Sequence, residues 1–260
     1  TIIFSIIKEL LPEVEINIGL SGNIDSLNKV KEFEKMGAKG LTLSVDLNRQ
    51  FKKLENIRKN TSLRITLLAT LTCFPSCHSM ISCMNSLSHS SSDGGNDSSM
   101  PVNLPLLTCY FKKIRSPWLI LTAPFIRPED VKHYRKIGID ELKFTDRYNT
   151  TNELINKVNA YINEKFEGNL LDLLSFRLSK SEGSFRDRKL FIPKNKIKSI
   201  IEIENELQLS KVPEIIINNR DLDEFLSFFI ENEVDCSWID CQKCTWCRKF
   251  GENSIKHNQE

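Results

Sequence analysis

Eight cysteines in two groups of four are the residues of this 260-residue sequence best suited to chemistry. The second group is Cys236, Cys241, Cys244 and Cys247, four thiols within twelve residues. The first twelve residues do not have the pattern of a signal peptide, so we expect thiols at this density to form a metal site rather than a disulfide framework. The spacing fits a cysteine-bound iron–sulfur cluster and a four-cysteine zinc site about equally, so both stay open at this point.

The first group is Cys73, Cys77, Cys83 and Cys109, and it is more widely spaced. Cys73 ends an apolar run that is typical of a buried strand, and the others lie in or just past a long polar loop. Parallel α/β folds build their sites at the carboxyl ends of strands. We therefore expect these four thiols to hold an iron–sulfur cluster, the alternative being that Cys73 and Cys109 are inert buried thiols.

Polar side chains follow other predicted strands. Arg49 and Arg147 suit bidentate binding of a substrate carboxylate or phosphate, although surface ion pairs would also explain them. His89 lies in the polar loop and suits proton transfer, or is simply a solvated residue.

The elements that must position these residues alternate between strand and helix. Five apolar runs are predicted to be parallel strands: residues 14–20, 40–45, 63–72, 117–125 and 141–145. A weak repeat, Phe33-x2-Met36-Gly37 and Tyr134-x2-Ile137-Gly138, places a helix-ending glycine before two of the strands.

These elements predict an α/β fold with a TIM-like parallel barrel that is incomplete at its N-terminus, because five strands are too few for eight. We divide the chain into a partial barrel domain at residues 1–175, interrupted by a Ser-rich loop at 76–99, and a C-terminal extension at 176–260. The extension carries the cysteine-rich tail.

Composition excludes several classes of function. Lys and Arg number 36 against 34 Asp and Glu, so the net charge of +2 does not indicate a nucleic-acid-binding domain. No apolar run approaches the roughly 18 residues of a membrane span. The H-E-x-x-H, G-x-S-x-G and Gly-rich nucleotide-binding motifs are absent from the sequence.

Several motifs together resemble the U-32 peptidase family, also called collagenase-like, from about residue 14 to 174 and again at 236–247. The motifs that carry the resemblance are Ser44–Phe51, Cys73-x3-Cys77, Asn85-x-Leu87-Ser88-His89, Cys109, Pro117-Trp118, Arg127–Asp130, Tyr134, Ile137–Asp140, Lys143-Phe144, Arg147 and Gly168–Leu174.

The resemblance implies a TIM-like barrel with an oxygen-sensitive 4Fe-4S cluster held by cysteines. It also implies the oxygen-independent hydroxylation of RNA bases or quinone precursors that relatives perform. This chain departs from the family pattern at three places: His78 stands where Pro is usual, Cys83 stands where His is usual, and Asn is usual near Thr70. Cys83 is therefore a candidate replacement ligand.

The resulting prediction is a cytoplasmic iron–sulfur enzyme acting on a small molecule, RNA or a peptide. Cys73, Cys77, Cys83 and Cys109 would hold the cluster, Arg49 and Arg147 would bind an anionic substrate, and His89 would assist proton transfer. One alternative is a peptidase that uses metal-activated water or a Cys–His pair. Another is a non-catalytic module in which a tail zinc site organises binding of a partner protein or a second copy.

Overall fold

The structure is a computed structural model, and it describes residues 2–85, 104–145, 149–174 and 214–258. Its main sheet has four parallel strands in the order β1-β2-β3-β4, each paired with the next along the chain. The strands are β1 (Asn17–Ile18), β2 (Gly40–Thr42), β3 (Arg64–Leu68) and β4 (Glu141–Lys143). The mixed α/β class with parallel pairing is confirmed. Within the described ranges this sheet is open, and a closed TIM-like barrel is not confirmed.

Helices connect and flank these strands. They are α1 (Ile2–Leu10), α2 (Leu27–Met36), α3 (Phe51–Lys59), α4 (Leu104–Arg115), α5 (Val131–Ile137) and α6 (Thr151–Ile162). In α3, Phe51, Leu54 and Ile57 recur every third residue and are all buried, which is why this segment is helical and packs on the sheet.

The predicted repeat is confirmed by two helix ends. Gly37 follows α2 with φ 94°, and Gly138 follows α5 with φ 92°. Both lie in the left-handed region, where glycine has no steric penalty, and both lead into a strand of the sheet.

The prediction of a strand at 117–125 is wrong. Its first part is a 3-10 helix, Pro117–Thr122. Pro117 has no backbone N–H to give to a ladder but suits the first turn of a helix. In addition, β3 pairs directly with β4, so no position remains between them. The apolar character of the segment reflects burial and not strand formation, since Ile120 and Leu121 are fully buried.

A C-terminal segment, residues 214–258, packs beside this region. Strands β5 (Glu214–Ile217) and β6 (Ile255–Asn258) pair antiparallel, and between them lie α7 (Ser227–Glu231), α8 (Cys241–Cys244) and α9 (Trp246–Ser254). The apolar spacing of residues 221–234 predicts one long amphipathic helix, but the helix in the structure is shorter. A 3-10 turn, Asn219–Leu222, precedes α7, and Glu224 between them has φ 68°, which interrupts a continuous helix.

One apolar core joins both parts. It contains Leu43, Leu54 and Ile65 from the region of the parallel sheet, together with Phe225 and Phe229 from the C-terminal segment. Residues 86–99 of the predicted Ser-rich loop lie outside the described residues, and the division at residue 175 stays a prediction. No helix among those that the structure describes is long and apolar enough to cross a bilayer.

Candidate functional site

A 3-10 helix, Val45–Arg49, follows β2 at the carboxyl edge of the sheet. The carboxylate of Asp46 accepts a hydrogen bond from the backbone N–H of Ser76 at 3.0 Å. Ser76 lies beside Cys77 and has φ 47°, an uncommon conformation for serine that this contact supports. Asp46 thereby ties the segment that carries the first cysteines to the end of the neighbouring strand.

Asn48 fixes the same edge from within. Its buried Nδ2 donates to the carbonyls of Leu68 and Pro124, at 2.8 and 2.7 Å. The hydroxyl of Tyr134 donates to the backbone carbonyl of Asn48 at 2.7 Å. Burial raises the pKa of Tyr134, so its phenol stays a hydrogen-bond donor at physiological pH. This network holds the end of β3 against the chain that follows Thr122.

Arg49 is the predicted site residue that the structure describes in most detail. Its side chain is only 2% exposed, and its two Nη groups donate to the carbonyls of Thr122 and Ala123. Its guanidinium carbon lies 4.6–5.4 Å from three ring centroids, those of Phe125, Phe225 and Phe229. Each Nη group already donates to a backbone carbonyl, and Nε is buried without an acceptor, so part of the guanidinium is engaged by the protein itself. That clamp stays a prediction.

The first cysteine group surrounds the exit of β3. Burial raises the pKa of Cys73 to about 12; Lys113 acts in the opposite direction, and the thiols of Cys109, Cys77 and Cys83 act to raise it further. Electrostatic effects of this kind require proximity. Cys77, Cys83 and Cys109 therefore each lie near enough to affect the thiol of Cys73, although Cys109 is 36 positions away in sequence (109 minus 73).

Lys113 is a buried cation in this group, 1% exposed. Its ammonium donates to the carbonyl of Thr72 and lies 4.8 Å from the ring centroid of Phe74. Sequence reasoning missed Lys113, yet a signal existed, because Lys113 follows Cys109 by four residues in a helical segment. Residues at that spacing share one helix face.

The second cysteine group spans the short helices of the tail. Asp240 caps α8 by accepting from the N–H of Gln242 at 2.9 Å, and Thr245, with φ 55°, makes the sharp turn into α9. This turn brings Cys244 and Cys247 onto two helices instead of opposite sides of one.

Burial also governs the tail thiols. It raises the pKa of Cys247 to about 12 and raises the pKa of Cys236 and Cys241, while Arg49 acts to lower all three. A thiol with a raised pKa is a weak nucleophile at neutral pH, unless a metal binds and displaces its proton.

Aromatic packing fixes the tail to the rest of the segment. The indole of Trp246 donates to the carbonyl of Phe225 at 3.1 Å and stacks on the ring of Phe228, with centroids 4.5 Å apart and an interplanar angle of 17°. Trp238, in contrast, is 88% exposed and shields nothing in the structure.

A small, solvent-open cleft lies where these parts meet. Its lining comes from three stretches of the chain: Asp46, Arg49 and Gln50; Pro75 and Pro124; Val234, Cys236 and Ser237. Gln50 joins two of them, because its amide donates to the carbonyl of Asp46 at 3.0 Å and to the carboxylate of Asp235 at 3.1 Å. Cys236 is the one cysteine in this lining, and Pro75 lies between Cys73 and Cys77 in the sequence. Sequence reasoning missed Gln50, although it directly follows Arg49.

The donor chemistry of the two groups fits a thiolate-bound metal. All eight cysteines are free thiols, and each group offers four soft ligands. In the part of the chain that the structure describes, no three His, Cys, Asp or Glu side chains are arranged around a common metal position. The residue types therefore suit an iron–sulfur cluster or zinc, and the assignment of Cys73, Cys77, Cys83 and Cys109, or of the tail thiols, as ligands stays a prediction.

Two predicted residues, His89 and Arg147, lie outside the described residues, so their roles stay predictions. Of the histidines whose side chains are described, neither His78 nor His133 is hydrogen-bonded to a cysteine.

A comparison with curated proteins gives one informative match. The chain is similar to the protein named Uncharacterized protease MJ1657 from Methanocaldococcus jannaschii, with 26% identity over 249 residues. The alignment covers 94% of this chain and 61% of the relative, so the chain spans less than two thirds of that protein's length. The match is consistent with the U-32 peptidase family that the sequence motifs resemble. No family model and no solved structure matches the chain.

Proposed function

We propose that this chain is an iron–sulfur enzyme of the U-32 type that modifies its substrate by oxygen-independent hydroxylation or a related reaction. The observation that carries the proposal is the cleft at the carboxyl edge of the parallel sheet. Cys236 of the tail lines this cleft together with Pro75, which lies between Cys73 and Cys77, although the two cysteine groups are more than 120 positions apart in the sequence (236 minus 109).

The raised pKa values of the buried thiols favour a role as metal ligands over a role as nucleophiles. Burial holds the pKa of Cys73 and of Cys247 at about 12, so neither is a thiolate at neutral pH without further help. A hydrolytic cysteine needs a lowered pKa or a neighbouring base. A metal displaces the proton of a buried thiol as it binds, and for this role a high starting pKa is no obstacle.

A cysteine-bound 4Fe-4S cluster would supply one-electron transfer at the cleft. The chain's own residues would hold the cleft in shape and supply charge beside the thiols. Asp46 and Asn48 hold the strand ends in place, and Lys113 contributes a buried positive charge beside the first thiols. Gln50 keeps the C-terminal wall of the cleft against the sheet. The substrate would be a small molecule, RNA or a peptide, and the enzyme would be cytoplasmic.

The test is anaerobic reconstitution with iron and sulfide, followed by iron analysis and visible spectroscopy. The wild-type chain should become brown, because sulfur-to-iron charge transfer absorbs across the visible range. A double variant, Cys73→Ala with Cys77→Ala, should lose the iron bound by the first group, and a variant lacking the four tail cysteines should lose any iron bound there. Trp238→Ala, which changes an exposed tail side chain, is the control and should keep both.

A colourless wild-type chain that binds only zinc would overturn this proposal. That result would favour a module in which zinc organises the tail and the tail binds a partner.

The relative's printed name favours a peptidase as the second candidate. Peptide cleavage by the wild-type chain, kept by the Cys73→Ala and Cys77→Ala double variant, would support that candidate over the redox function.

A further inference from the structure

Arg49 is a buried cation that lacks a counter-ion. It is 2% exposed, forms no ion pair among the described residues, and has an Nε without an acceptor. Carbonyl groups and aromatic rings stabilise a guanidinium, but they do not neutralise it. A buried charge without an opposite charge is costly, so this position favours an anion nearby.

The surroundings of Arg49 point to the source of that anion. The rings of Phe225 and Phe229, both from the C-terminal segment, lie against its guanidinium. Phe225 in turn accepts the hydrogen bond of Trp246, which directly precedes Cys247. Cys236 and Arg49 line the same cleft. The packing therefore brings the segment that carries Cys236 and Cys247 beside Arg49.

The carboxylates of this cleft already have other partners. Asp46 accepts from Ser76, and Asp235 accepts from Gln50 and pairs with Lys53. Neither forms an ion pair with Arg49, which leaves its charge available to the thiols.

We propose that Arg49 is the counter-cation of the tail metal site. It is a positioning residue that stabilises the negative charge of metal-bound Cys236, Cys241, Cys244 and Cys247 without binding the metal. Four thiolates around a divalent ion leave a net charge of minus two, which a buried guanidinium partly balances. The proposal rests on the metal-binding tail of the proposed function. It also means that metal binding strengthens the docking of the C-terminal segment on the sheet.

The test measures the affinity of the tail for Co²⁺, read from thiolate-to-metal absorption, with Zn²⁺ as competitor. The full-length background carries Cys73→Ser and Cys77→Ser, so that the tail dominates the signal. Arg49→Met should weaken Co²⁺ binding about 10- to 100-fold, the usual effect of losing a residue that supports the ligands of a metal. Arg49→Lys keeps the charge and should recover most of that loss.

Two controls separate charge from packing. Lys53→Met removes a cation that is 55% exposed beside the same tail and should leave the affinity unchanged. Arg49→Lys is the second control, because it alters the packing against the aromatic rings but keeps the charge. Circular dichroism confirms that each variant is folded.

Three other results would contradict the proposed role of Arg49. If Arg49→Met binds Co²⁺ as tightly as Lys53→Met does, or if Arg49→Lys is as weak as Arg49→Met, then charge at Arg49 is not the cause and this inference is wrong. If the tail of the parent chain binds no Co²⁺ at all, the tail metal site of the proposed function fails, and the role of Arg49 fails with it.

Discussion

The region of the parallel sheet and the C-terminal segment reach their positions in different ways. The sheet region is held by apolar side chains that recur at helix and strand spacing, and Leu43, Leu54 and Ile65 have no exposed surface. The C-terminal segment is held in addition by particular polar contacts with distant residues. Gln50 binds Asp235, and Arg127 binds the carbonyl of Asn219.

This difference indicates which residues position each of the two cysteine groups. The first cysteine group follows directly from the end of β3, so the sheet itself positions it. The tail cysteines have no such frame of their own, and their position is set by residues of the sheet region. A variant that destabilises one region and not the other would support this difference between them. A variant that destabilises both regions equally would contradict it.

The largest effect is expected for Arg127→Met. Arg127 is 2% exposed, forms a two-point ion pair with Asp130 at 3.0 and 3.1 Å, and donates to the carbonyl of Asn219 at 2.8 Å. Its loss leaves the carboxylate of Asp130 buried and unpaired, which costs about 3–5 kcal/mol. Hydrogen exchange should rise first in residues 214–258.

Arg220→Met is the matched control for this variant, since Arg220 lies in the same turn as Asn219 but is 62% exposed. It should change stability by less than about 1 kcal/mol. Equal deprotection of the sheet and the C-terminal segment in Arg127→Met would contradict the comparison.

Leu54→Ala should act on the other region. Leu54 is fully buried in α3 against the sheet, and truncation leaves a cavity that costs about 2–5 kcal/mol. Because both regions share one core, urea unfolding should shift to a lower midpoint with an unchanged slope. The exposed neighbour provides the control, Glu55→Ala, for which almost no shift is expected. A loss confined to residues 214–258 would show that α3 does not support the sheet.

Gly251→Ala should give the smallest of these effects and the most local one. A methyl group on Gly251 would lie 2.5 Å from Cβ and 2.9 Å from Cα of Trp118, so α9 must move away from the 3-10 helix Pro117–Thr122. Overpacking of this kind costs about 1–3 kcal/mol, partly offset by the better helix propensity of alanine.

Tryptophan fluorescence and the urea midpoint measure that change. Asn253→Ala on an exposed position of the same helix is the control and should be neutral or slightly stabilising. A Gly251→Ala variant as stable as the control would mean that α9 is not held closely against Trp118.

The sequence was sufficient for features that depend on near neighbours. The spacing of Phe51, Leu54 and Ile57 predicted α3, and Gly37 and Gly138 predicted two helix ends, because these signals act within one or two helical turns. The run at 117–125 was misleading, since strand and buried 3-10 helix are equally apolar and only the pairing of β3 with β4 decides between them.

The site was predictable to a similar extent. The cysteines and Arg49 were recognisable by residue type, and the position of Cys73 after an apolar strand indicated the correct edge of the sheet. The cleft was not predictable, because its two walls belong to stretches that only tertiary packing brings together. The aromatic surroundings of Arg49 were hidden for the same reason, since Phe225 and Phe229 had the spacing of ordinary core residues.

The hydrogen bond between Gln50 and Asp235 has a consequence for the order of events during synthesis. Its two residues are 185 positions apart, and a ribosome adding about 5–20 residues per second needs roughly 10–40 s to make the stretch between them. Throughout that interval the wall formed by Asp46, Arg49 and Gln50 exists without its opposite side. Under the proposed function, the first cysteines would be available to a cellular metal donor well before the tail is made, and the two groups would be loaded one after the other.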